Sequence, residues 1–122
     1  MIRWCFDLDN TLVKTEGTNY KESVPIDDAV KKVREYYDRG DHIIIMTARG
    51  ASSKKDWRKF TAEQLKDFSI PYHQLSVGLK PSDVDFFVDD KAVNSLEWLD
   101  DEERALSRVE TLEESLKERY EQ

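Results

Sequence analysis

Cysteine is nearly absent from this chain of 122 residues: Cys5 stands alone, which excludes an internal disulfide framework. It sits inside an apolar run, where a thiol is an inert core group. Long apolar runs are missing as well. No stretch approaches the roughly 20 apolar residues that a membrane span needs. Residues 1–7 carry no signal-peptide core, so the expected location is the cytoplasm and no membrane is expected as a partner. Repeats, low-complexity tracts and internal linkers are also lacking. The length suits one domain, expected to span 1–122 as a core over 1–94 and a C-terminal helical extension over 95–122. Basic residues are the minority, 19 Lys+Arg against 26 Asp+Glu, for a net charge of −7. The excess is concentrated in residues 95–122, which hold ten acids and four bases. A nucleic-acid binder is ordinarily basic, so this balance argues weakly against one. With 37% charged and 39% hydrophobic residues, the composition is that of a soluble globular domain.

What the sequence does contain is an alternation. Met1–Phe6 is a short apolar run that stops at the acid cluster Asp7-Leu8-Asp9-Asn10-Thr11, and it reads as a buried strand. Residues 13–25 are polar and read as a loop. Ile26, Ala29, Val30, Val33, Tyr36 and Tyr37 recur at helical spacing, with Asp27 and Asp28 at the start and Gly40 at the end. His42–Met46 reads as a second strand ending at Thr47. Ser52 or Ser53 is the expected cap of a helix whose apolar face is Trp57, Phe60, Leu65 and Phe68. Tyr72–Val77 and Val84–Val88 read as further strands, the last ending on Asp89-Asp90. Residues after Lys91 read as helix with a break near Asp100-Asp101. Short apolar strands alternating with amphipathic helices predict an α/β fold with a parallel sheet covered on both faces. Sites in such sheets lie beyond the carboxyl ends of the strands.

Three of these strands end in polar groups suited to chemistry: Asp7 with Asp9, Thr47, and Asp89 with Asp90. Asp7 and Asp9 flank Leu8, so in extended backbone both point the same way. Four converging carboxylates without partners would repel one another. A hard divalent cation resolves the conflict, and Mg²⁺ suits a site with few carboxylates, waters and phosphate oxygens. Lys80 and Thr47 add a positive charge and a hydroxyl, both suited to a phosphoryl group. A carboxylate nucleophile, a metal, a lysine and a hydroxyl together make a phosphoryl-transfer site.

The ordered set Asp7-Leu8-Asp9-Asn10-Thr11, then Ile44-Ile45-Met46-Thr47, then Lys80, then Val88-Asp89-Asp90 resembles the four motifs of the haloacid dehalogenase superfamily of phosphatases. The stretch from Gly78 to Ala92 further resembles small members linked to bacterial surface-polysaccharide pathways. The resemblance implies a Rossmann-like three-layer sandwich and a Mg²⁺-dependent phosphomonoester hydrolase. Asp7 would be the nucleophile, forming an aspartyl-phosphate. Asp9 would protonate the leaving oxygen, then activate water, and lend its backbone carbonyl to Mg²⁺. Thr47 would hydrogen-bond the phosphoryl group, and Lys80 would neutralise its charge together with that of Asp7. Asp90 would be the remaining protein ligand to Mg²⁺, with Asp89 reaching the metal through water. Many relatives insert a cap domain after the first motif or after the lysine. Residues 12–42 and 81–84 hold none, so an open site is expected, closed only by residues 13–25 or by a partner subunit. The expected substrate is a small phosphorylated metabolite such as a sugar phosphate. The alternatives are a nucleotide or nucleic-acid end and, outside enzymes, a receiver-like signalling domain, whose acceptor aspartate would have to end a middle strand.

Other residues are secondary. Arg49 stands two after Thr47 and reads either as a substrate clamp or as an exposed structural arginine. It opens a basic stretch with Lys54, Lys55, Arg58 and Lys59, against Asp56 alone, which marks a candidate rim for an anionic substrate. His42 and His73 begin strands, far from the carboxyl edge, and read as structural. Trp57 and Phe60 read as core. Leu106, Val109, Leu112, Leu116 and Tyr120 share one side of the expected tail helix, which packs on its own sheet or joins a second chain as a homo-oligomer.

Overall fold

The apolar run at the start of the chain forms β1 (Arg3–Asp7), the third strand in the order β5-β4-β1-β6. Its neighbours are β4 (His42–Thr47), β6 (Phe86–Val88) and, beyond β4, β5 (Gln74–Val77), and every pairing is parallel. The computed structural model describes residues 1–51 and 53–109. It divides the chain into two units, Met1–Val88 and Asp89–Gln122.

In the first unit, the chain winds from β1 through α1 (Asp27–Asp38) to β4, and through α2 (Arg58–Asp67) to β5. Both crossovers step in one direction across the sheet, and right-handed connections then place both helices on one face. The core agrees. Phe6, Ile43 and Ile45 pack with Val30 and Val33 of α1 and with Leu65 and Ile70 from α2 and the residues after it. Each such side chain, taken from water, contributes about 1.5–3 kcal/mol. Cys5 and Ile44 alternate to the opposite face and are buried too. Residues 78–85, between β5 and β6, carry no helix, so within this unit both helices lie on one face rather than on both as the alternation predicts. The winding reverses between β1 and β6, and open α/β sheets place their crevice at such a switch.

α1 starts as expected: Asp27 and Asp28 occupy its first turn, where the helix dipole favours acids. It ends where Gly40 takes a left-handed φ of 98° and donates its N–H to the Tyr37 carbonyl. At the amino edge of the sheet, buried Asp41 accepts from the Ile2 N–H at 3.0 Å, the Trp4 indole at 3.1 Å and Arg39 Nε at 2.7 Å. These bonds, the Ile2 N–H foremost, outweigh the opposing effect of burial and lower its pKa from 3.8 to about 2. His42 and His73 stack at 4.7 Å, with Tyr37 on the far side of His73, and His73 Nδ1 accepts from the Ile43 N–H. Both histidines are packing groups at the edge away from the strand carboxyl ends.

The sequence reading needs correction at three places. Residues 13–25 are not an unstructured loop: β2 (Val13–Lys14) and β3 (Val24–Pro25) form an antiparallel ribbon around a 3₁₀ turn at Tyr20–Glu22. Ser53 does not cap α2, which begins five residues later with Trp57 in the capping position and no side-chain cap; Ser52 lies outside the described residues. Residues 92–94 are not helical. In the second unit, α3 (Ser95–Asp100) starts only where Asn94 Oδ1 accepts from Leu96 N and Glu97 N. Asp101 breaks the helix, residues 102–109 resume it, and Arg108 pairs with Glu97. Leu106 is half exposed and Val109 partly buried; Leu112, Leu116 and Tyr120 lie outside the described residues. None of the described helices is long and apolar enough to cross a membrane.

Candidate functional site

The sheet register decides which residues meet at the carboxyl edge. Asp7 is the last residue of β1 and pairs with Met46, so Thr47 ends the neighbouring strand one step further on. On the other side Phe6 pairs with Val88, the last residue of β6. Covalent continuity alone then makes Asp89 and Asp90 the first residues past that strand.

β1 ends at Asp7, so strand alternation does not govern Asp9. The chain turns instead. Leu8 is fully buried, and its carbonyl accepts from the N–H groups of Thr11, Leu12 and Val13, while Asn10 takes a left-handed φ of 64°. Asn tolerates that conformation better than most residues. Asn10 Oδ1 accepts from the Thr15 N–H and closes the loop. The Thr11 Oγ1 is a buried hydroxyl with no partner among the described residues.

Asp9 is held from two sides. Arg49 Nε donates to Oδ2 at 3.1 Å, and Arg49 Nη2 donates to Oδ1 at 2.8 Å. The Thr15 hydroxyl donates to Oδ1 at 2.6 Å. Thr15 spends its one hydrogen there, so the Ser23 hydroxyl, 2.6 Å away, donates to Thr15. A carboxylate offers about four acceptor positions, and the described residues occupy three, which leaves one on Oδ2.

Arg49 is neither exposed nor a clamp open to solvent. Its side chain is 0% exposed, against 23% for Asp9. Its Nη1 donates to Thr61 of α2 at 3.3 Å, and its Cζ lies 4.6 Å from the centre of the Tyr20 ring. Its own N–H donates to the Thr47 hydroxyl at 3.1 Å, which fixes that side chain at the end of β4. The segment expected to act as a flap is therefore fastened. Tyr20 covers Arg49, its ring meets Trp57 edge-on at 5.0 Å, and its carbonyl accepts from Gln64 Nε2 of α2 at 2.8 Å.

Lys80 is exposed, with its Nζ 4.6 Å from the centre of the Phe87 ring. Phe87 pairs with Cys5, two residues before Asp7 in β1, so the two side chains share the sheet face toward which Asp7 points. Asp89 Oδ1 accepts from the Lys91 N–H at 2.6 Å, and Asp90 is buried. Lys54 has a left-handed φ of 58° in the exposed turn before α2, and its N–H donates to the Gly50 carbonyl. The structure therefore joins Asp9, Thr47 and Arg49 directly, sets Asp7 beside the Thr47 strand, puts Lys80 on the face Asp7 shares, and leaves Lys54 in the exposed turn before α2. Thr15, Ser23 and Tyr20 escaped sequence reasoning. Their only signal was a cluster of hydroxyls in a segment read as loop.

The donor set at this edge is all oxygen: carboxylates, a hydroxyl and backbone carbonyls. Such donors fit a hard cation of the Mg²⁺ type and not a soft metal.

Among known proteins, no family model and no curated protein matches the chain. Among solved structures, it is similar to a crystal structure of a target protein from Vibrio cholerae, with 27% identity and a TM-score of 0.54 over 93% of this chain and 98% of that one. It is also similar in fold to part of a Pnkp1/Rnl/Hen1 complex, at 17% identity and a TM-score of 0.52, over 81% of this chain and 34% of that one.

Proposed function

We propose that the chain is a Mg²⁺-dependent phosphomonoester hydrolase of the haloacid dehalogenase type, without a cap, acting on a small phosphorylated metabolite through an aspartyl-phosphate on Asp7. The observation that carries this reading is the parallel register, which ends β1 at Asp7 beside β4 ending at Thr47 and beside β6, whose chain continues directly into Asp89-Asp90. Convergence of strand carboxyl ends at the switch point is where such sheets carry chemistry.

In the proposed reaction an Asp7 carboxylate oxygen attacks phosphorus and the bond to the ester oxygen breaks. The leaving oxygen takes a proton from Asp9. Water then attacks the phosphorus of the acyl-phosphate, its proton goes to Asp9, and the bond from phosphorus to Asp7 breaks to release phosphate. The one acceptor position left on Asp9 Oδ2 is where that proton is held; Arg49 and Thr15 fix its direction. Thr47 hydrogen-bonds a phosphoryl oxygen, and Lys80 neutralises charge once its ammonium leaves the Phe87 ring. Asp7, Asp90, the Asp9 carbonyl and, through water, Asp89 would hold Mg²⁺, which supplies neutralisation of the charge that builds on the phosphoryl oxygens.

The test is phosphate release from p-nitrophenyl phosphate with Mg²⁺. The reading expects turnover that EDTA abolishes, and that Asp7→Asn abolishes while the circular dichroism spectrum is kept. Turnover surviving either change overturns it. A stoichiometric, long-lived phosphoprotein without turnover would instead favour the receiver-like alternative.

A further inference from the structure

A cavity of about 250 Å³ opens immediately beyond Thr47, lined by Thr18, Tyr20, Ala48, Gly50, Ser53, Lys55 and Trp57. Ala48 and Gly50 flank Arg49, which grips Asp9, and Tyr20 covers the same guanidinium. The cavity is therefore walled by residues that hold Arg49, which in turn holds Asp9. Nothing in the proposed reaction uses this space.

The lining has a definite chemical character. Trp57 and Tyr20 both line it, their rings edge-on to one another. The Lys55 ammonium stands over the Trp57 ring, 5.5 Å from its centre. Two hydroxyls, on Thr18 and Ser53, complete the polar part. Among the described residues the lining holds no carboxylate and no carboxamide side chain, the planar groups that grip pairs of sugar hydroxyls. A flat π-system bearing negative charge matches an indole and an ammonium together, since bases stack on aromatic rings regardless of sequence. The turn is also built to shape. Gly50 has a φ of 86°, and any side chain there would run into the Lys55 carbonyl and the Trp57 ring.

From this we infer that the cavity binds the base of a nucleotide substrate, stacked on Trp57, with Lys55 meeting a second phosphate. The inference rests on the phosphomonoesterase reading and narrows its substrate from a small phosphorylated metabolite to a nucleotide.

Binding and turnover are measured separately, so that the two readings fail separately. Calorimetry on Asp7→Asn protein with Mg²⁺ compares adenosine 3′,5′-bisphosphate with a hexose 1,6-bisphosphate, which matches its charge but has no π face. Stacking of one base predicts that the nucleotide binds roughly tenfold tighter or more. Adding Trp57→Leu should erase most of that preference, Trp57→Phe should keep part of it, and Lys55→Ser should weaken the nucleotide severalfold. Equal affinity for the two ligands, or a preference untouched by Trp57→Leu, overturns the inference even if p-nitrophenyl phosphate is hydrolysed. A Trp57-dependent nucleotide preference in a protein without phosphatase turnover upholds the pocket and overturns only the reaction assigned to it.

Discussion

Replacing Asp9 with alanine should unfold the protein more readily than any substitution at an exposed ion pair. The change removes both oxygens that satisfy Arg49 Nε and Nη2. The guanidinium has no exposed surface, so water cannot take their place, and among the described residues it keeps only Thr61 at 3.3 Å and the face of Tyr20. Breaking a buried pair by removing one partner costs about 3–5 kcal/mol, against about 0–1 kcal/mol at an exposed pair. The partial exposure of Asp9 places this pair at the lower end, about 3 kcal/mol. For a domain of this size each kcal/mol moves Tm by about 4 °C, so Tm should fall by about 12 °C. Arg49→Met keeps the volume and removes the charge, leaving a carboxylate that still reaches water and Thr15, so it should cost less, about 1–2 kcal/mol. The double variant should then be more stable than Asp9→Ala alone, because no charge is left stranded. Urea unfolding at neutral pH followed by circular dichroism measures all three. A cost below 1 kcal/mol for Asp9→Ala, or costs that simply add in the double variant, would refute the buried-pair account.

Acid should expose the role of Asp41. Its pKa lies near 2 in the folded protein against 3.8 ordinarily, so the stability it contributes is present above about pH 4 and is lost as pH falls through about 2; Asp41→Asn should flatten that part of the pH-stability curve, and an unchanged curve would show the carboxylate to be idle. Burial, then the charges of Arg3 and His73, lower the pKa of His42 below 6.5 against the pull of Asp83, so neutral His42 favours folding above that pH and the contribution is lost on acidification; His42→Gln should reduce the pH dependence near 6. Gly50→Ala forces a side chain into the Lys55 carbonyl at a left-handed φ and should cost about 1–3 kcal/mol in a thermal melt, while the same change at Gly17, where a Cβ meets nothing, should cost less.

Local apolar pattern was enough to read β1, β4 and α1, because each buries side chains at a spacing visible within a dozen residues: Val30 and Val33 in the helix, and Ile43, Ile44 and Ile45 in a strand buried on both faces. The ends of those strands carried Asp7 and Thr47 with them. The ribbon of residues 13–25 left no such pattern, since each of its strands is two residues long. Arg49 was harder still. An arginine is ordinarily exposed, and what buries this one is a carboxylate 40 residues away, a hydroxyl from α2 and a ring from the ribbon. Asp41 was passed over for the same reason: its partners, Ile2 and Trp4, are distant in sequence and meet it only through the β1–β4 register.

The central claim is that Asp7 carries the phosphoryl group, and trapping that species tests it most directly. Protein turning over p-nitrophenyl phosphate with Mg²⁺ is quenched in acid, reduced with borohydride, which converts an aspartyl-phosphate to homoserine, and digested for peptide mass analysis. The account predicts homoserine at position 7, absent without substrate and absent in Asp7→Asn. Homoserine at another aspartate, with Asp7 recovered intact, would contradict it.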